Sequence, residues 1–183
     1  NAAGRPDVMR GEETQLLGAV VQGQPSGLFV LPGTHSKWVA LEQGRVTALR
    51  TYMTGELFAL LGQHGTLAAA SAQAQDDSAE AFAQGVADSA AGALSHQLFA
   101  ARARVVCGDL PAAQARAYLS GMLIGAELRD ALALQRPGAE AIALIGNPTL
   151  AQRYVQAAAL LGCGAHALDA RTLYLHALTA LLP

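Results

Sequence analysis

The chain has 183 residues, of which 52% are hydrophobic and 14% charged, and this composition excludes a disordered or fibrous protein. Its formal net charge of -2, with no basic run, argues against nucleic acid as a partner. Glycine or a polar residue interrupts every apolar segment before the roughly 18 residues that a membrane span requires, so we predict no membrane association.

The amino-terminal residues 1–7 are predicted to form an incoming linker, because they are polar and include turn formers. The chain opens with Asn1 instead of Met and has neither the charged nor the apolar region of a signal peptide, so we expect a fragment or trimmed chain. Residues 8–183 suffice for one substantial domain with its own core. Cys107 and Cys163 match neither a zinc motif nor a disulfide framework, which favours a reducing, cytoplasmic setting.

A helix and three strands are predicted in the first third of the chain. Apolar residues recur at helical spacing over residues 12–21, before glycine and proline break the pattern at residues 23–27. Three β-prone stretches follow, and the strands predicted from them cover residues 28–31, 37–41 and 45–51. The Gln43-Gly44 pair predicts a tight turn between the last two strands, so this unit is a β-meander or hairpin.

The middle of the chain is predicted to be mainly helical. Leucines take helical spacing after Gly55, and an Ala-rich stretch continues as helix to about Ser95, with a polar break at residues 73–78. Asp109 is placed to cap a further helix whose first turn holds Pro111.

The rest of the chain combines close helix packing with strand and helix alternation. Gly121 and Gly125 lie four residues apart on the helix predicted after Pro111, an arrangement that lowers helix propensity and indicates a close approach by another backbone or a ligand. Strands are then predicted at residues 141–145 and 165–168, with helices to about residue 161 and over residues 171–182. This order predicts an α/β fold.

The segment over residues 32–38 joins two predicted strands and suits an oxyanion. Gly33 lets the backbone bend and expose N–H groups, Thr34 and Ser36 add hydroxyl donors, and Lys37, the single lysine of the sequence, adds a positive charge. The alternative is an ordinary polar β-turn, and the segment does not follow the Walker A pattern. Nucleophilic hydrolysis is disfavoured because the sequence contains no GxSxG elbow.

Two further places are candidates for function. Glu12 and Glu13 follow a glycine at a helix start, where one carboxylate could act as a general base; the alternative is that they only complement the helix dipole. Gly146 and Asn147 precede a helix whose amino terminus could face a nucleotide, and the alternative is an ordinary N-cap. The histidines are too dispersed to predict a metal site built by the protein.

Five segments in this order resemble the 2-dehydro-3-deoxygalactonokinase family of the actin-like sugar-kinase superfamily. The most specific motifs are LPGTHSKWV, TYMTGELFALL and YLSGMLIGAEL, in which several uncommon residues occur together. The five segments cover residues 8–17, 31–38, 51–61, 118–127 and 144–162.

The resemblance implies an RNase H-like domain, with a mixed sheet, a β-hairpin that holds phosphate, and flanking helices. It implies transfer of the γ-phosphoryl group of ATP to the 6-hydroxyl of 2-dehydro-3-deoxy-D-galactonate, with Mg²⁺, in cytoplasmic galactonate catabolism. The partners it implies are ATP and a small sugar acid, and it leaves a homo-oligomer open.

The resemblance also implies roles for individual residues. The hairpin motif falls on Gly33 and Thr34, with Ser36 and Lys37 close by. Gly11-Glu12 looks like the counterpart of the Gly-Asp pair that holds the catalytic carboxylate in related sugar kinases, and Glu13 stays open as the base. Where those kinases carry paired glycines for adenosine, this chain has Gly146 and Asn147.

The chain lacks the Asp-x-Gly-Thr-Thr-type phosphate loop that such kinases carry near their amino terminus. We therefore expect residues 8–183 to be a carboxyl-terminal kinase domain that has little activity alone. Three other readings stay open: a kinase of the same fold for another sugar or keto acid, a sugar- or nucleotide-sensing module without activity, and a structural interaction domain.

Overall fold

The computed structural model of the protein describes residue 4 and residues 6–68, 78–134 and 141–182. The helices are α1 (Glu12–Val21), α2 (Thr54–Gln63), α3 (Ala79–Asp88), α4 (Leu94–Cys107), α5 (Ala115–Ala133), α6 (Pro148–Leu160) and α7 (Ala170–Leu181), with a 3-10 turn at Ala112–Gln114. The strands are β1 (Gly27–Leu31), β2 (Ser36–Glu42), β3 (Arg45–Tyr52), β4 (Ile142–Gly146) and β5 (Ala165–Asp169).

Two compact units divide the chain. Unit 1 comprises Asn1–Met53 and Arg136–Pro183, and unit 2 comprises Thr54–Gln135. Unit 1 carries the sheet with α1, α6 and α7, and unit 2 carries the remaining helices. Among the described residues, no helix has both the length and the apolar character that crossing a membrane requires.

The sheet of unit 1 is mixed, with strand order β3-β2-β1-β4-β5. Strands β1, β2 and β3 pair antiparallel, whereas β1 pairs with β4, and β4 with β5, in parallel. The turn between β2 and β3 places Gln43 at φ 51° and Gly44 at φ 76°, as a type I′ turn requires. The predicted α/β fold, the hairpin and the mixed sheet are confirmed.

One face of the sheet forms a core with α1 and α7. Alternate residues of the strands point to this face, because side chains on a strand alternate with period 2. The buried members of the cluster are Leu16, Ala19, Phe29, Leu31, Val39, Leu41, Ala143, Ile145 and Leu173. A Cβ on Gly18 would lie 1.9 Å from the carbonyl oxygen of Leu173, so only glycine allows α1 to lie this close to α7.

In unit 2, glycines bring α3 and α5 into backbone contact. A Cβ on Gly121 would lie 2.0 Å from the carbonyl oxygen of Phe82, and one on Gly85 would lie 2.1 Å from that of Tyr118. A Cβ on Gly125 would lie 2.6 Å from the hydroxyl of Ser89. The close packing predicted for Gly121 and Gly125 is confirmed, and the partner is another helix.

The substitution Gly121→Ala tests this packing, because helix propensity and steric clash predict opposite changes in stability. Helix propensity alone would stabilise the protein by about 1 kcal/mol, whereas the clash with Phe82 should destabilise it by about 1–3 kcal/mol. We expect the clash to win, with a lower melting temperature in thermal unfolding. Gly62→Ala on α2 is the matched control, because the nearest obstacle there is the flexible guanidinium end of Arg116. A melting temperature that rises in both variants would contradict the packing.

Polar side chains in unit 2 are satisfied inside the helical layer. The Tyr118 hydroxyl donates to Asp88 over 2.5 Å, and Arg104 forms an ion pair with the same carboxylate at 3.0 Å. Burial first, and then the hydrogen bond to Asp88, raises the pKa of Tyr118 far above its usual value. The hydroxyl of Thr54 donates to the buried carboxylate of Glu127.

The predicted start of α5 was wrong. Pro111 has ψ 134°, an extended conformation, and a 3-10 turn over Ala112–Gln114 follows before α5 begins at Ala115, so Asp109 does not cap it. The helical stretch predicted to continue to about Ser95 ends as α3 at Asp88, and α4, which runs from Leu94 to Cys107, was not predicted. The polar break predicted at residues 73–78 lies, except for Ser78, outside the described residues.

Candidate functional site

The carboxyl ends of β1 and β4 meet at one edge of the sheet because these two neighbouring strands are parallel. The backbones are close there: a Cβ on Gly146, the last residue of β4, would lie 3.3 Å from the carbonyl oxygen of Pro32, which follows β1. In open α/β sheets, ligands bind in the crevice outside the carboxyl ends of such strands. This edge is therefore the first place to look for a site.

A cleft of about 360 Å³ lies at this edge, entirely within unit 1. One wall comes from the first turn of α1, and the other from the loop between β1 and β2 and the end of β4. Its lining residues are Glu12, Gln15, Leu31, Pro32, Gly33, Thr34, His35, Lys37, Ile145 and Gly146. The structure thus brings together five residues predicted from the sequence: Glu12, Gly33, Thr34, Lys37 and Gly146.

Lys37 supplies the cationic group of the cleft. It is only 6% exposed and lies on the strand face that packs against α1. Within the described part of the chain, its ammonium forms neither a hydrogen bond nor an ion pair. Every wholly buried polar side-chain atom of the described residues has a partner, so the ammonium is not wholly buried. It therefore reaches the open space of the cleft that Lys37 lines. A cation that lies at the cleft and has no protein partner there favours an anionic ligand.

The carboxylate of Glu12 faces the same cleft from the first position of α1. The preceding residue, Gly11, has φ 100°, a backbone conformation that favours glycine. This conformation explains why a glycine stands directly before Glu12. One oxygen of Glu12 accepts the backbone N–H of Arg10 at 2.7 Å, which fixes the carboxylate and leaves its other oxygen without a protein partner in the described structure. Glu13 accepts the N–H of Gly11 at 2.7 Å but is exposed and does not line the cleft.

Ser36 lies outside the cleft lining. Its hydroxyl is fully buried and shares a 2.8 Å hydrogen bond with the hydroxyl of Tyr154 on α6. Because adjacent strand residues point to opposite faces, Ser36 faces α6 while Lys37 faces α1. The phosphate role expected for Ser36 stays a prediction, and the geometry offers a second role, which is to hold the start of β2 through Tyr154.

A pair of substitutions separates these two roles. Ser36→Ala and Tyr154→Phe should each lower the free energy of unfolding by about 1–2 kcal/mol, because each removes a partner from a buried hydroxyl. If Ser36 positions the loop through Tyr154, both variants should weaken anion binding in the cleft to a similar degree. Binding that weakens in Ser36→Ala alone would instead assign the serine hydroxyl to the anion. Thermal unfolding and titration with inorganic phosphate on both single variants and the double variant provide the readouts.

The start of α6 borders the cleft through Gly146. Asn147 is the N-cap of this helix, and its side-chain oxygen accepts the backbone N–H groups of Thr149 at 2.9 Å and Leu150 at 3.3 Å. Its amide oxygen therefore serves its own helix, as in an ordinary N-cap. Asn147 does not line the cleft, whereas Gly146 does.

Gln15 and His35 also line the cleft, and neither was predicted from the sequence as a site residue. Gln15 follows Glu12 by three residues, so the helical repeat already places the two on one face of α1. No comparable periodic signal points to His35, which lies in a loop. In the described residues, no group of three or more His, Cys, Asp or Glu side chains is arranged to hold a metal ion.

Residues 1–181 match the family model described as 2-keto-3-deoxy-galactonokinase. A 2-dehydro-3-deoxygalactonokinase of Escherichia coli (strain K12) is 44% identical over 172 residues, covering 92% of this chain and 57% of that protein. The Probable 2-dehydro-3-deoxygalactonokinase DgoK1 of Rhizobium meliloti (strain 1021) is 42% identical over 170 residues, covering 90% and 55%. The chain thus spans little more than half the length of these curated relatives.

A solved structure shows the same fold. A Sinorhizobium meliloti protein provisionally described as a 2-dehydro-3-deoxygalactonokinase superposes with a TM-score of 0.87 at 41% identity. The match covers 96% of this chain and 60% of that one.

Proposed function

Because the chain belongs to the 2-keto-3-deoxy-galactonokinase family, we propose that it supplies the phosphate-binding and catalytic parts of an ATP-dependent kinase. The reaction is transfer of the γ-phosphoryl group of ATP to the 6-hydroxyl of 2-dehydro-3-deoxy-D-galactonate, within galactonate catabolism. The observation that carries the proposal is the cleft in which the buried, unpaired Lys37 and the fixed carboxylate of Glu12 face one space. The reaction and the acceptor are proposed because both curated relatives are named as 2-dehydro-3-deoxygalactonokinases.

The phosphates of ATP occupy the strand-end wall in this proposal. Gly33 and Thr34 offer backbone N–H groups and a hydroxyl from the exposed loop, and Lys37 offers its charge from the start of β2. Gly146 presents backbone beside the same loop, and Asn147 holds the start of α6 next to it. The adenosine therefore extends toward the β4–α6 connection.

Glu12 is the general base of the proposed reaction. It takes the proton of the 6-hydroxyl as the oxygen forms its bond to the γ-phosphorus, while the bond from that phosphorus to the bridging oxygen breaks and ADP leaves with the electron pair. Glu12 is favoured over Glu13 because it lines the cleft and Glu13 does not. The carboxylate of Glu12 and the ammonium of Lys37 form no ion pair in the described structure, so neither charge is neutralised by the other before the substrates bind.

Magnesium would be held in this cleft mainly by phosphate, as is common for this ion. Among the described lining residues Glu12 is the one carboxylate, and it is assigned to the base, so the described lining offers the ion no further carboxylate. When bound, the ion neutralises phosphate charge. The chain's own residues then orient the nucleotide and hold the base, and such positioning provides most of the catalysis in phosphoryl transfer.

The domain boundary at residue 8, the cytoplasmic location and a homo-oligomer stay predictions. Within this proposal, residues 8–183 form the carboxyl-terminal kinase domain, and residues 1–7 lead into it.

The test is ADP release by the full natural polypeptide that contains these 183 residues, with ATP, Mg²⁺ and a panel of sugar acids. Selective turnover of 2-dehydro-3-deoxy-D-galactonate is the expected result. Selective turnover of another sugar acid would keep the kinase chemistry and replace the acceptor. ATP binding without turnover of any acid would instead favour a sensing module of the same fold.

A further inference from the structure

We propose that Gln15 binds the acceptor, through a hydroxyl next to the one that is phosphorylated. This inference rests on the proposed kinase function and adds a substrate-binding residue that selects for a vicinal diol. It begins from the cleft wall formed by α1, where Gln15 is the one lining residue besides Glu12 within the described structure.

Helix geometry places the Gln15 side chain beside the proposed base. The two residues are three positions apart, so their Cβ atoms lie roughly 5–6 Å from each other on one face of α1. The next residue, Leu16, is buried in the core cluster, which fixes the rotation of the helix and keeps Gln15 at the cleft. A general base must lie within hydrogen-bond reach of the acceptor hydroxyl, and a group on the same helix face one turn away reaches the neighbouring atoms of that acceptor.

The amide of Gln15 is available to a ligand. It is partly buried at the cleft wall, and in the described residues it has no hydrogen-bond or ion-pair partner in the protein. An uncharged amide carries two donors and an acceptor, and so it matches a hydroxyl group in either direction.

Phosphate is better bound by the cleft wall opposite α1 than by Gln15. Lys37 provides the positive charge there, and the loop at Gly33 and Thr34 provides donors. A phosphate oxygen accepts hydrogen bonds but cannot donate to the amide oxygen, so half of the Gln15 side chain would remain unused against phosphate. A sugar-acid hydroxyl uses both halves. Gln15 therefore binds the 5-hydroxyl, which lies next to the 6-hydroxyl of the acceptor.

The experiment compares the acceptor with its analogue lacking the 5-hydroxyl, in the full natural polypeptide and in its Gln15→Met variant. Methionine keeps the length and the helix propensity of glutamine and removes its hydrogen bonding. For the unsubstituted protein, loss of the 5-hydroxyl should lower kcat/KM about tenfold, as expected for one neutral hydrogen bond. Gln15→Met should lower kcat/KM about tenfold for the full acceptor and leave that for the analogue unchanged. The KM for ATP should not change.

Gln22→Met, an exposed position at the carboxyl end of α1, is the matched control and should behave as the unsubstituted protein. An equal loss on both acceptors in Gln15→Met would make the residue structural, and a raised KM for ATP would assign it to phosphate; either result overturns the inference, as does an unchanged variant. Active unsubstituted protein with any of these outcomes leaves the proposed function intact. Absence of turnover by the unsubstituted protein on every acid overturns both.

Discussion

In the full natural polypeptide, Glu12→Gln should lower kcat by about 10²–10⁴-fold, the usual contribution of a general base. Glutamine keeps an oxygen that can accept the backbone N–H of Arg10, so the start of α1 should remain intact. The substitution removes the negative charge and with it the ability to take a proton. The affinity for ATP should therefore stay close to that of the unsubstituted protein, and calorimetry of nucleotide binding beside steady-state kinetics measures both quantities.

Glu13→Gln is the matched control for the base. Its carboxylate makes the equivalent bond to the N–H of Gly11 at the same distance of 2.7 Å, yet it is exposed and outside the cleft lining. The control should keep kcat near the unsubstituted value. If Glu13→Gln lost turnover and Glu12→Gln did not, the base would be Glu13; undiminished turnover in both would remove a carboxylate base from this helix.

The local elements of the fold could be predicted from the sequence because their causes are local. The Gln43-Gly44 turn requires two positive φ values, and the flanking period-2 alternation sets the strands. The start of α5 was missed because a 3-10 turn and an α-helix draw on similar residues, and the extended ψ of Pro111 decides between them. No short-range pattern records that choice.

The candidate site depends on one pairing that the sequence does not display. Parallel pairing of β1 with β4 brings the loop after Leu31 against Gly146, more than a hundred residues later in the chain. The residue types over 32–38 predicted an anion site, and the resemblance indicated the same loop. The partner of Ser36, by contrast, is Tyr154 on α6, and only the fold reveals it. Gln15 could have been predicted as a site residue from the sequence, because it shares a helix face with Glu12.

Lys37→Met should change activity and stability in opposite directions. Methionine keeps an unbranched stem in the buried position and removes the charge. With the charge lost, kcat/KM for ATP should fall by roughly 10²–10³-fold, the effect of removing one strong electrostatic group from a phosphoryl-transfer or oxyanion site. Without nucleotide, the free energy of unfolding should rise by on the order of 1 kcal/mol, because a cation that is 6% exposed and has no protein partner in the described structure is costly to bury.

The opposed signs are what distinguish a ligand-binding cation from a structural one. The three readouts, all on the full natural polypeptide, are thermal unfolding without ATP, thermal unfolding with ATP, and steady-state kinetics. The stabilisation by ATP should shrink in the variant, because stabilisation by a bound ligand falls as its dissociation constant rises. Arg45→Met, an exposed charge on β3, controls for net charge and should change none of them. If Lys37→Met lost stability together with activity, the ammonium would hold the sheet edge together. A stable variant with unchanged kinetics would move the phosphates away from β2. The expected combination is a more stable protein that binds ATP weakly. It would mean that the Lys37 ammonium destabilises the protein without nucleotide and is kept because it binds the phosphates.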